Sequence, residues 1–234
     1  MWPIRDVNPT TRRPIVTETI IIINVILFIP VFFAWLTGDE ALYEYLMWQF
    51  GFVPSRPLAL DNLHTLLTSM FMHANLLHIF GNMLFLHIFG DNVEDVLGRL
   101  LYTLLYILWG LAAIGLHVLI CALVSPWLLD VPLIGASGAI SGVLGAYVVF
   151  FPRARILTAV AGYYGYFYTV EVRAVHYIGF WFLFQLLCGL LTLGWPVVSV
   201  AYWAHIGGFL AGVVAGLIFR ERVRSRARLW GWRW

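Results

Sequence analysis

Lysine is absent from this 234-residue chain: all fourteen basic residues are arginine, a choice that by itself points to no chemistry. Charge of either sign is scarce, at 11% of residues against 62% hydrophobic, and mean hydropathy is +0.86. Soluble domains carry about 25% charged residues, so an ordinary soluble fold is excluded and a membrane protein is implied. Only two cysteines occur, Cys121 and Cys188. Both fall inside apolar runs with no C-x-x-C spacing, which argues for packing rather than metal binding. A signal-peptide core is also missing, because the first apolar run, after Arg12-Arg13-Pro14, is too long for one. It is expected to be a retained helix.

A bilayer core of about 30 Å needs about 20 apolar residues per helical span. Apolar runs lie at Ile15–Trp35, Ala74–Phe89, Leu100–Leu123, Ile134–Phe151, Ala174–Leu193 and Ala201–Phe219. The expected fold is therefore an all-α bundle of six transmembrane helices in one domain over 1–234. A short segment, 1–14, precedes the core and a basic tail, 220–234, follows it. The connection Thr37–Met72 is aromatic-rich and broken by Pro54 and Pro57. It is too polar to span and too apolar for a free linker, and is expected to rest in the outer interface.

Six spans put both termini on one side. Thirteen of the fourteen arginines fall there and Arg56 alone falls opposite, together with Asp39, Glu40, Glu44, Asp61 and Asp130. By the positive-inside rule both termini are expected to be cytoplasmic. The basic tail, Arg220 to Arg233, reads as a flank touching anionic lipid rather than as a nucleic-acid site.

In this topology the second, fourth and sixth helices start in the outer leaflet, and the polar residues gather at their starts. The second presents His73, Asn75, His78 and Asn82, the fourth opens Gly135-Ala136-Ser137-Gly138, and the sixth opens Ala201-Tyr202-Trp203-Ala204-His205. At 1.5 Å per residue, Ser137 and His205 would lie roughly 5–10 Å below the outer interface. Polar groups there are costly unless paired, so a shared depth points to a functional site; joining of helices by hydrogen bonds is the structural alternative. Small-residue stripes, Gly138-Gly142-Ala146 and Ala204-Gly208-Gly212, allow two backbones to touch and would bring Ser137 against His205 in nucleophile-to-base fashion.

Metal catalysis is the rival chemistry. On one continuous helix His73 and His78 would stand about 140° apart, and His78 and His87 about 180°. No H-E-x-x-H motif occurs. Neither a metal nor a cofactor is expected. His78 and Asn82, four residues apart, share a face and could both donate to a developing oxyanion. His64, His117 and His176 receive no role.

Three motifs in order, His73-x4-His78-x3-Asn82, Gly135-Ala136-Ser137-Gly138 and Ala204-His205-Ile206-Gly207-Gly208, resemble the rhomboid family of intramembrane serine proteases. The likeness runs from about Arg13 through Arg220. The segments Phe50-Gly51-Phe52-Val53-Pro54 and Gly90-Asp91-Asn92-Val93-Glu94-Asp95 add a bacterial character to it. The resemblance implies cofactor-free proteolysis of transmembrane protein substrates by a Ser–His dyad, Ser137 as nucleophile and His205 as base. His78, Asn82 and the backbone N–H of Ser137 would form the oxyanion site. Gly135 would let backbone approach the scissile bond, and His73 matches a structural histidine. It further implies a multi-pass protein of the cell membrane, a bacterial inner membrane by type, with its site opening to the extracytoplasmic side. Ser141 stands where many relatives have a tyrosine stacked beneath the histidine, which leaves open what orients His205: a hydroxyl or another aromatic. A client-binding, inactive rhomboid-like protein and a small transporter are the alternatives. The first would lose nucleophile or base; the second calls for polar residues through the whole bilayer.

Overall fold

The computed structural model describes residues 2–56, 59, 62–162, 166–195 and 200–230, with side chains to 223. Met1, Pro57, Asp61 and Arg233 lie outside the described residues, as do the side chains of Arg224, Arg226 and Arg228.

Every expected apolar run is a helix. These are α1 (Ile15–Thr37), α4 (Leu76–Leu97), α5 (Arg99–Val124), α6 (Ser137–Phe150), α7 (Ala174–Leu191) and α8 (Tyr202–Trp230). Among the described residues, α1, α5, α7 and the Tyr202–Val223 part of α8 are long and apolar enough to cross a membrane. The shorter α6 is apolar, and α4 carries Asp91, Glu94 and Asp95 in its last turns. The connection after α1 holds two further helices, α2 (Glu40–Phe50) and the single turn α3 (Thr65–Thr68). Asp39 caps α2 by accepting from the Leu42 amide at 2.9 Å.

An all-α chain omits one feature of the structure. Three antiparallel strands, β1 (Trp2–Asp6), β2 (Arg155–Ala161) and β3 (Phe167–Arg173), form a sheet in that order. Alternating, β-branched stretches such as Arg-Ile-Leu-Thr-Ala-Val and Tyr-Thr-Val-Glu-Val favour strands, and β2 and β3 pair in unbroken register from Arg155↔Arg173 to Ala161↔Phe167. The segment before α1 is thus a strand bound to the α6–α7 connection.

Helix α6 is the centre of the bundle, with Gly138 through Tyr147 buried without interruption. It packs against α4, α5 and above all α8. At Gly208 any Cβ would strike the carbonyl of Gly138, at Gly212 that of Gly142, and at Gly145 that of Phe209. The small-residue stripes therefore bring backbone against backbone, which is how helices gain packing in a medium that offers no hydrophobic drive between them.

The far ends of α4 and α6 are tied to the N-terminal segment. Glu94 accepts from the amides of Val16 (3.0 Å) and Thr17 (2.8 Å) and from the Thr17 hydroxyl (2.9 Å), capping α1 from another helix. Asp6 accepts from the Tyr147 hydroxyl at 2.6 Å and from Asn92 Nδ2 at 2.9 Å.

Candidate active site

Gly135 fixes the approach to α6. Its φ of 117° is a conformation that other residues rarely adopt, and a Cβ there would stand 2.8 Å from His78 Nε2. Its amide donates to the Ser69 carbonyl at 2.8 Å, anchoring the turn. The helix opens at Ser137 with no side-chain cap, so its first N–H groups lack intrahelical partners and concentrate the positive end of the helix dipole beside the Ser137 hydroxyl.

Across the glycine seam, His205 in the first turn of α8 points its Nε2 at Ser137 Oγ, 2.8 Å away. The other ring nitrogen, Nδ1, lies 2.8 Å from Oε1 of Gln185 on α7. An amide oxygen can only accept, so Nδ1 carries a proton, and in the neutral imidazole Nε2 then presents a lone pair to the serine hydroxyl. Trp181, one turn before Gln185, sets its ring 6.1 Å from the imidazole, centroid to centroid, at 34°.

Ser141 does not orient His205. Its hydroxyl donates at 2.6 Å to the Ser137 carbonyl, one turn back on the same helix, and the residue is 1% exposed. The amide of Gln185 and the ring of Trp181 occupy the histidine's surroundings instead. Reading from sequence missed Gln185. The available signal was a lone amide inside the apolar stretch from Phe180 to Leu191.

The histidines of the first motif also depart from expectation. Helix α4 begins at Leu76, with Asn75 as its cap, accepting from the His78 amide at 2.9 Å. His73 precedes the helix, so helical spacing does not govern it, and its ring packs edge-on against His78 at 5.0 Å between centroids. It is fully buried. The two rings therefore meet rather than diverge. The Ala74 amide makes a long, 3.4 Å contact with His78 Nδ1, which leaves Nε2, beside Gly135, as the nitrogen carrying hydrogen. Asn82, one turn further, is 9% exposed and its Nδ2 has no hydrogen-bond partner among the described residues.

These groups line one cavity of about 840 Å³, with His78, Asn82, Gly135, Ser137, Trp181 and His205 on its wall among mainly apolar neighbours. His73 is not on that wall. Among the described residues no group of three or more His, Cys, Asp or Glu side chains is arranged to hold a metal ion. His117 lines the same cavity, with its Nε2 3.5 Å from the Cys121 sulfur. Chemically, the arrangement offers a hydroxyl within hydrogen-bond distance of an imidazole and, on the same cavity wall, the side chains of His78 and Asn82 as N–H donors.

The helices define a multi-pass membrane protein. A family model described as the Rhomboid domain matches residues 60–222, and the chain belongs to the rhomboid family. It is similar to Rhomboid protein 1, mitochondrial, of Saccharomyces cerevisiae, at 29% identity over 79% of this chain and 48% of the relative. It is similar also to RHOMBOID-like protein 6, mitochondrial, of Arabidopsis thaliana, at 27% identity over 68% of this chain and 45% of the relative. RHOMBOID-like protein 1 of the same plant is 30% identical over 67% of this chain and 34% of its own length. The chain spans about half the length, or less, of these curated relatives.

Proposed function

We propose that the chain is an intramembrane serine endopeptidase that cleaves transmembrane segments of other membrane proteins with a Ser137–His205 dyad. The observation that carries the reading is the 2.8 Å contact between Ser137 Oγ and His205 Nε2 on the wall of a cavity that an extended peptide could enter. Family membership supports the same chemistry.

In this mechanism His205 Nε2 takes the Ser137 proton as Oγ attacks the scissile carbonyl carbon, and the carbonyl π pair moves onto oxygen. The Ser137 N–H, His78 Nε2–H and Asn82 Nδ2–H donate to that oxyanion. Collapse expels the amine, which takes the proton from His205, and leaves an acyl ester on Ser137. Water, deprotonated by His205, then hydrolyses the ester. His73 acts as a support for His78 and Gly135 as the opening through which the scissile bond approaches.

The same reading sets α1, α4, α5, α6, α7 and α8 in the membrane as one domain, with both termini on the cytoplasmic, arginine-rich side of a cell membrane. Helix α6, at 14 residues, spans about 21 Å, short of the roughly 30 Å apolar core. Its first residue can thus sit below the outer surface, with the cavity opening outward.

Purified protein incubated with a transmembrane substrate and with a fluorophosphonate probe tests the reading. Cleavage and labelling at Ser137 are expected, and both should vanish in Ser137→Ala and His205→Ala. Undiminished labelling of folded Ser137→Ala, or modification at Ser141, would overturn the nucleophile assignment; a wild-type chain that neither cleaves nor reacts would favour an inactive, client-binding member.

A further inference from the structure

Within that reading, we infer that Gln185 is a positioning residue for the dyad: by accepting the Nδ1 proton of His205 it holds the imidazole in the one tautomer, and the one ring orientation, that can serve as base to Ser137. The dyad from α6 and α8 is then held in place by a third side chain, from α7.

Helix α7 is otherwise apolar over its last three turns, and Leu183, Phe184 and Leu187 on it are exposed to the surroundings. Gln185 faces the other way, 7% exposed. A buried amide without a partner is costly, and the one side-chain bond this amide makes among the described residues is to His205 Nδ1, at 2.8 Å. Trp181, one helical turn away on the same face, limits the plane of the imidazole from the side. Rotation of the ring is thus opposed at two points by one helix.

The tautomer matters more than the packing. With Nδ1 protonated, Nε2 accepts from Ser137 and can remove its proton. Without an acceptor at Nδ1 the neutral ring also populates the form protonated at Nε2, which can only donate to the serine and cannot activate it. Orientation of a catalytic imidazole by an acceptor at its second nitrogen is the general logic of serine hydrolase triads, where the acceptor is an anion. Here it is neutral, so its effect should be smaller. Loss of one hydrogen bond that is stronger in the imidazolium state corresponds to a rate decrease of about 10–100-fold.

The test compares Gln185→Met, which has similar length and no acceptor of comparable strength, with Gln185→Glu, which can only accept. Gln185→Asn, one methylene too short to reach, serves as a second loss variant. Full-length proteins in detergent or proteoliposomes are assayed for kcat and KM on a transmembrane substrate and for the rate of fluorophosphonate labelling, with thermal unfolding as the control for folding. For Gln185→Met and Gln185→Asn we expect kcat and labelling to fall together by about 10–100-fold, with KM within about twofold. Gln185→Glu should recover at least about tenfold of the rate that Gln185→Met loses. Folded loss variants that label at the wild-type rate, a defect confined to KM, or a glutamate variant no better than methionine would each overturn the inference. If the wild-type chain itself is not labelled at Ser137, the protease reading fails and this inference fails with it; normal wild-type labelling beside an unaffected Gln185→Met sinks the inference alone.

Discussion

Substituting Gly208 by alanine tests whether backbone contact between α6 and α8 sets the chemistry. The added Cβ would land on the carbonyl of Gly138, which belongs to the backbone of a buried helix and cannot swing away as a side-chain tip could. The helices must separate locally. Overpacking of this kind costs about 1–3 kcal/mol. Relief by a shift of α8 also carries His205, three residues earlier on the same helix, away from Ser137 Oγ at its present 2.8 Å. A displacement of about 1 Å at a reacting pair can cost roughly 100-fold in rate. Gly208→Ala is therefore expected to unfold earlier than wild type and, where folded, to react with a fluorophosphonate about 100-fold more slowly. Gly115→Ala on α5 is the control, since a Cβ there meets nothing within 4 Å. It should be neutral or slightly stabilising by helix propensity, up to about 1 kcal/mol. Unfolding in graded denaturant gives the first quantity and labelling rates the second. A folded Gly208→Ala with wild-type stability and reactivity would refute the argument that this seam positions the dyad.

Three other outcomes can be checked. Asn82→Ala should reduce turnover and labelling by roughly 10²–10³-fold while the protein stays folded, as expected for one oxyanion donor among several; equal rates in the two proteins would remove Asn82 from the site. A phosphatase fused after Trp234 should be inactive and a cytoplasmic reporter active, because in the proposed six-span arrangement thirteen of the fourteen arginines share the side of the termini; the reverse pattern would undo that arrangement. The Asp6 carboxyl, in the N-terminal strand, is pushed up to about 7, chiefly by burial and further by Asp91, against the hydrogen bond from Tyr147. The folded chain thus holds this proton more tightly than the unfolded one, so Asp6 favours folding at low pH and that contribution is lost as pH rises from the ordinary aspartate range through about 7. Asp6→Asn should flatten this part of the stability profile, and an unchanged slope would assign it to another group.

What could be read beforehand followed from chemistry that leaves a local mark. Hydrophobic runs located the long helices to within a few residues at most ends, and glycines at four-residue steps marked the α6–α8 seam, since both depend on spacing along one segment. The sheet was overlooked because β1 lies about 150 residues from its partner β2, and short alternating stretches between apolar runs look like loops until their partners are known. The directions of His73 and His78 were misjudged for a related reason. Periodicity assumed a helix through both, whereas the Asn75 cap starts it between them. Gln185 was invisible as a neighbour of His205 because 20 residues and a turn separate them; only the packing of α7 beside α8 unites them.

The two polar clusters along α4 and α6 look alike in sequence but differ in how their atoms are satisfied, and this difference bears on what each does. At the ends of these helices, Glu94 takes three hydrogen bonds from the start of α1, and Asn92 links Asp6 and Asn8, with Tyr147 completing the set. Such a saturated network joins segments and leaves little capacity for a ligand. At the beginnings of the same helices, Asn82 Nδ2 is buried without an acceptor among the described residues. Tyr106 Oη and Trp109 Nε1 are also buried and, among the described residues, unpaired, yet neither residue lines the cavity. Asn82 does, beside His78 and Ser137. An unpaired donor is costly in the resting protein, and in the proposed reaction that cost is recovered when an acceptor arrives. The oxygen of an attacked carbonyl, which gains charge as the Ser137 bond forms, is an acceptor of that kind.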